Sequence, residues 1–316
     1  MSSNRIMSNE KGLVAIITTV VLMLVISLIV LGFTQAARRN QRQALDTQLS
    51  NQAFYAAESG VNLAKAKLEA NPNRSIEKQS CAPGSDFTAA EYQIDGTNTA
   101  ITCLLIQPVE DLKFDSITSS SKVSLIQKAS NTPVGSAYIN WEVSSGGGGN
   151  GCSSGSNQLP AFGAWTCGQP LLRVDLVPLQ DTDVNAPSGG VYTSFLYPQT
   201  SGSATSTYAA GNQGIVGATC NASQSTHKTY RCSIQITNLT ARRYGIRMMS
   251  LYGDSRTQLS VPEGGGKANL VGGQVMVDST ARSIDVLKRV QVRLSLTRGG
   301  VVPDFAVMSG GDTYKQ

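Results

Sequence analysis

Apolar and polar positions divide this chain into three regimes. Residues 13–33 pass without a charge, and only Thr18, Thr19, Ser27 and Gly32 interrupt the apolar run. At about 1.5 Å per residue, such a helix just spans a hydrocarbon core of roughly 30 Å. A secretory signal has an apolar region of only about 7 to 15 residues, followed by a cleavage site and unrelated sequence. Here helix formers continue instead, with no proline and the single glycine Gly60 in residues 35–68. In this second regime Leu45, Leu49, Ala53, Ala56, Gly60, Leu63 or Ala64, and Leu68 recur at steps of three and four and so share one face. Arg38, Arg39, Arg42, Asp46, Glu58, Lys65 and Glu69 are expected to fall largely elsewhere. A continuous helix over residues 13–68 is about 84 Å long. Its polar half must pack that stripe on something, and the rest of the chain is the candidate.

The third regime begins at Asn71 and Pro72, where turn residues end the stem. Short β-rich runs follow, among them residues 100–106, 135–143, 170–179, 191–197, 229–239 and 243–252. The clearest is 286–296, where Val290, Val292, Leu294 and Leu296 alternate with Gln291, Arg293 and Ser295, the pattern of a half-buried strand. Residues 144–158, "SSGGGGNGCSSGSNQ", read as a flexible surface insertion rather than a divider between two β subdomains. The predicted fold class is α+β: a long N-terminal helix, first hydrophobic and then amphipathic, packed on an antiparallel β-rich domain.

Composition adds a compartment. With 316 residues, 41% hydrophobic and 15% charged, the chain can fold a domain of about 200 residues or more beyond the stem. The six cysteines fall as local pairs, Cys81 with Cys103, Cys152 with Cys167 and Cys220 with Cys232, and none has CxxC spacing. An even count beyond a membrane segment points to an oxidising, extracytoplasmic domain stapled by disulfides. Six cysteines allow about 15 connectivities; sequential pairing is the expectation and free buried cysteines are the alternative.

Net charge is +5, with Lys and Arg scattered, so no nucleic-acid partner is expected. The densest group, Arg38, Arg39 and Arg42, follows the apolar run, where lipid phosphates or acidic neighbours are its natural contacts. The positive-inside tendency would put that side in the cytoplasm. The cysteines argue the opposite, and a dedicated processing signal overrides a modest charge bias.

Catalytic constellations are thin. His227 is the only histidine and has no metal-ligand partner at helical spacing, so a surface or structural role is the default. "EGGGKAN" at 263–269 has the look of a phosphate loop, but Val261 occupies the first glycine position and Ala268 the hydroxyl position. In "DTDVNAP" at 181–187, Asp181, Asp183 and Asn185 match the first three oxygen ligands of a calcium loop. Ala186 replaces the turn glycine and Tyr192 the bidentate glutamate, so an ordinary polar turn is the alternative. Bound calcium would raise the melting temperature over that measured with chelator. No other cofactor and no enzymatic activity is expected.

Two motifs carry a resemblance. "EKGLVAIITT" resembles a class III prepilin leader: a short polar segment with basic residues, then Gly12 directly before the apolar helix. "QAFYAAESGVNLAKAKL" at residues 52–68 is similar to the A-E-[AS]-G stem signature of PilX-type minor pilins and K-type pseudopilins of type II secretion. The resemblance covers about the first 70 residues. It implies a leader at 1–12, cleavage by a prepilin peptidase between Gly12 and Leu13, and a pilin helix at 13–70 whose residues 13–33 serve membrane and assembly. Residues 71–316 then form the extracytoplasmic, pilin-like head.

The fifth mature position, glutamate in most major pilins, is Ile17 here. Hydrocarbon strongly disfavours an unpaired carboxylate, so a subunit with no partner above it has reason to lack one. Ile17 therefore favours a tip or priming subunit. Within the second motif, Gly60 implies a packing need, because a mid-helix glycine costs about 1 kcal/mol relative to alanine. Glu58 reads as a solvent-facing charge or an intersubunit partner for a basic residue, and Phe54 and Tyr55 as core or subunit-contact aromatics.

The reading is a structural minor pilin that resides in the cytoplasmic membrane and then in an extracellular filament with other pilins. Surface adhesion is a plausible consequence with no receptor identified. The alternatives are a type II secretion pseudopilin and a single-pass anchored binding protein or enzyme.

Overall fold

The computed structural model describes residues 10–71, 76–95, 98–145, 149, 151–152, 159, 161–209, 213–220, 227–228 and 230–296. One unbroken helix, α1 (Glu10–Ala70), carries both the apolar and the amphipathic regime. It stops two residues before Pro72, and the Asn71 side chain caps its end by donating to the Lys67 carbonyl at 3.2 Å. Strands follow in chain order: β1 (Gln93–Asp95), β2 (Thr99–Val109), β3 (Asp111–Ile117), β4 (Lys122–Gln127), β5 (Gly135–Val143), β6 (Leu171–Pro178), β7 (Tyr192–Gln199) and β8 (Thr205–Thr207). Then come β9 (Gln213–Thr219), β10 (Cys232–Leu239), β11 (Arg243–Leu251), β12 (Ser255–Ser260), β13 (Pro262–Glu263), β14 (Gly266–Lys267), β15 (Leu270–Ser283) and β16 (Val286–Ser295).

The strands form two main sheets. A four-stranded antiparallel sheet, ordered β1-β2-β15-β16, lies on the second half of α1. Its inner face presents Ile101, Leu104 and Ile106 from β2 and Val275, Val277 and Ala281 from β15 to Ala56, Ala57, Val61, Ala64 and Leu68 of the helix. Small helix residues permit this close approach. The β16 residues Val290, Val292 and Leu294 border the same core, as their alternation predicted.

The larger sheet is ordered β3-β12-β5-β10-β9-β7-β6-β11-β4, with β8 paired to β10. Strands from both ends of that order supply one core, including Leu112 and Ile117 from β3 and Ile126 from β4, so the sheet curls around it. It is not wholly antiparallel: β7 pairs with β9, and β8 with β10, in parallel. The insertion at 144–158 joins β5 and β6, both members of this sheet, and most of it lies outside the described residues.

The sheets meet where β15 begins. Leu270 pairs with Val109 and bridges to Lys128, and a side chain at Gly273 would strike the Leu125 carbonyl oxygen. Only glycine allows β15 to pass β4 that closely. Gln274 extends the join, accepting from the Lys113 N–H at 2.9 Å and donating to the Lys113 carbonyl at 2.7 Å. Cys81 is bonded to Cys103, Cys152 to Cys167 and Cys220 to Cys232. The first ties the segment after the stem to β2, and the third joins the end of β9 to the start of β10.

Candidate functional site

The stem is the feature that the fold leaves unfinished. Along residues 16–33 every large apolar side chain is exposed, from 48% at Val25 to 73% at Phe33. The threonine hydroxyls in and just past this run are turned inward: Thr18 donates to the Ala15 carbonyl at 3.0 Å, Thr19 to Ile16 at 2.8 Å and Thr34 to Val30 at 2.7 Å. That satisfies these three groups within the helix and leaves a surface suited to hydrocarbon or to other apolar helices. Ile17 is one of these exposed residues. Gly12 and Leu13 lie within α1, whereas residues 1–9 of the expected leader lie outside the described residues.

The amphipathic half divides more sharply than the periodicity predicted. Ala53, Ala56, Ala57, Gly60, Val61, Ala64 and Leu68 are buried, but Leu45 is exposed and Leu49 only partly covered. The stripe becomes buried only where the head reaches it. Gly60 is a packing residue: an added Cβ would collide with the Ser279 hydroxyl and lie 3.2 Å from Ile101 Cδ1. Phe54 and Tyr55 are exposed and meet edge to face at 5.8 Å between ring centres, which removes the core reading for both. Glu58 faces solvent.

The arginines correct a second expectation. Eighteen residues make about five turns, so Arg38, Arg39 and Arg42 lie directly below Ala56, Ala57 and Gly60, on the face that the head occupies higher up. Simple turn counting carries that signal, and assigning the arginines to other faces missed it. All three are exposed, and no ion pair to them occurs among the described residues.

The remaining sequence candidates are dispersed over the head. The Asp183 carboxylate accepts from the Asn185 N–H at 2.9 Å, while Asp181 faces Arg242 at 3.5 Å. This is an aspartate-capped turn beside a surface ion pair, and no group of three or more His, Cys, Asp or Glu side chains suited to a metal occurs among the described residues. His227 stacks on Tyr138 at 4.8 Å and its Nδ1 lies 3.5 Å from Ser260 Oγ; burial lowers its pKa from the usual value of 6.5, with Lys267 adding and Asp111 opposing. Residues 263–266 form the β13–β14 hairpin turn, with Gly264 and Gly265 at φ +56° and +84°.

Fold and stem together define a single-helix, membrane-compatible anchor that is continuous with a β-rich head. Residues 11–62, the stem alone, match the family model described as PilX N-terminal, so in this segment the chain is similar to PilX-type, pilus-associated pilins. No curated protein and no solved structure matches the chain.

Proposed function

We propose that this chain is a minor pilin that assembles through its stem into a type IV pilus or a related filament, and that its role is structural rather than enzymatic. The observation that carries the reading is the apolar half of α1, which is exposed on all sides yet continuous with a helix locked into the head. In the cytoplasmic membrane that surface contacts lipid tails. In a filament it exchanges them for packing against neighbouring stems, a transfer between two apolar surroundings driven by shape and hydrogen-bonding rather than by escape from water.

A prepilin peptidase cutting after Gly12 frees Leu13 as the mature end, and the disulfide-stapled head lies outside the cytoplasm. Ile17 makes a tip or priming position the best fit, since no carboxylate is present there to require a partner above. The test is fractionation of the parent host. The chain is expected in sheared filaments, and expected to be lost from them when the prepilin peptidase is deleted. Recovery only from membranes, alongside sheared filaments that lack it, would sink the proposal.

A further inference from the structure

Of the four exposed large apolar side chains among the described residues of the head, three stand at one end of the four-stranded sheet and the fourth is Leu159. Ile284 and Leu287 are 56% and 58% exposed, and Ile94 is 41% exposed. They are neighbours in the fold: Ile284 belongs to the β15–β16 turn, Leu287 pairs with Arg282, and the Ile284 N–H donates to the Asn98 carbonyl at 3.0 Å, beside β1 and its Ile94. Ser283 donates to the Gln52 side chain at 3.0 Å, whereas Val275 and Leu296 share a core with Leu68. The turn is therefore the stem-entry end of the head, the end that faces the membrane.

The turn residues themselves are unusual. Ile284 has φ +56° at the first central position of a two-residue hairpin, where glycine is the ordinary occupant. A β-branched side chain is held there against its backbone preference and pointed into solvent. Around it stand Arg282 and Lys288, both exposed and without an ion pair among the described residues, with Asp285 in the turn itself and Asp95 two strands away in β1. Below, on the same side of the stem, come Arg42, Arg39 and Arg38, with only Asp46 between. Arg282 and Leu287 pair on the outer face of the sheet, Lys288 stands opposite Ala281 on its helix-facing side, and Ile284 caps the turn between them, so the underside of the head is apolar and basic above the stem arginines.

Lipid does not cover that underside. Nineteen residues separate Phe33 from Gln52, so the turn stands about 28 Å beyond the apolar run, while the headgroup layer is only about 5 to 8 Å deep. A typical stem tilt of about 20° lowers the turn by only about 2 Å. A second copy of this chain brings further net positive charge to a surface that already has unpaired cations.

We infer that the underside of the head, formed by Ile94, Ile284, Leu287, Arg282 and Lys288 above Arg38, Arg39 and Arg42, is the docking surface for the folded head of a different filament subunit, one that presents an apolar patch ringed by Asp and Glu. The inference rests on the filament reading above. A subunit at or near the tip has its neighbours below it, and this underside is the surface it turns toward them.

The test places a photo-crosslinking amino acid at Leu287 or Ile284 of the full chain in the parent host, with Leu22 in the stem as a separate probe, and identifies products by mass spectrometry. The expected product joins position 287 or 284 to the head of another subunit with a prepilin-type stem, at a residue flanked by carboxylates. Its yield should fall at least tenfold in the Arg282→Glu, Lys288→Glu double variant, and partly in the milder Arg282→Gln, Lys288→Gln pair, at equal amounts of protein. Products with lipid only, with copies of this chain only, or none from the head while Leu22 still crosslinks to neighbouring stems, overturn the docking surface and leave the filament reading standing. Failure of Leu22 to reach any stem removes the filament reading itself, and the docking surface with it.

Discussion

Replacing Gly60 by alanine sets two effects against each other at the junction of stem and head. Alanine gains about 1 kcal/mol over glycine in a helix interior. Its methyl, however, must share space with the Ser279 hydroxyl and sit 3.2 Å from Ile101 Cδ1, in a contact between α1 and β15 that both elements need. Overpacking of this kind costs about 1–3 kcal/mol, so Gly60→Ala should change stability by between about zero and a 2 kcal/mol loss. The Ser279 hydroxyl is itself buried and has no hydrogen-bond partner among the described residues. Ser279→Ala should therefore be neutral or stabilising, and it removes the atom that the new methyl would strike. In that background Gly60→Ala keeps its helix gain and sheds most of its penalty, giving a favourable coupling of at least about 1 kcal/mol. The assay is urea unfolding of the full chain in detergent micelles, followed by circular dichroism for all four members of the cycle. Additivity within about 0.5 kcal/mol would refute the packing argument.

Other predictions follow from individual contacts. Asp175 is buried and accepts from Arg247 Nε at 2.7 Å and Arg173 Nε at 3.2 Å; Asp175→Leu removes the carboxylate from this network and should cost about 3–5 kcal/mol in the same unfolding assay. Cys81 and Cys103 fasten the segment after the stem to β2, so the paired change to serine should lose about 2–5 kcal/mol; a loss under about 1 kcal/mol would deny that tether a structural role. His227 has its pKa lowered from 6.5 mainly by burial, so the unfolded chain binds its proton more readily. Its contribution to stability is complete above 6.5 and is lost as pH falls through the lowered folded value. Relative to His227→Gln, the native chain should weaken as pH drops below 6.5; a constant difference would contradict the assignment.

The stem was legible because its two periodicities are strong and long: a charge-free span, then a stripe at three and four. Its buried stretch begins later than the stripe because coverage depends on where the head ends, which no local pattern records. In the head, β2, β5, β6, β7, β10, β11 and β16 correspond to β-rich runs visible in the sequence. The longest strand, β15, had no such signature. Its two glycines and buried polar residues Gln274, Asp278, Ser279 and Ser283 break any alternation, because the strand is covered by the helix on one face and passes against β4 at its start. β12, "SRTQLS", has a single large apolar residue and no apolar alternation, yet Thr257, Gln258 and Ser260 are buried, with backbones paired to β3 on one side and β5 on the other. The parallel pairs β7–β9 and β8–β10 depend on long-range topology that turn residues do not encode. The apolar underside was likewise invisible, since isolated apolar residues such as Ile284 and Leu287 acquire meaning only when the fold gathers them at one end of a sheet.

The central claim is that α1 is an assembly stem released by processing. Mass spectrometry of the amino-terminal peptide, on protein recovered from native membranes and sheared filaments, addresses it most directly. The account predicts a mature end at Leu13. An amino terminus that retains residues 1–12, in a host with an active prepilin peptidase, would contradict it and reduce the stem to an anchor.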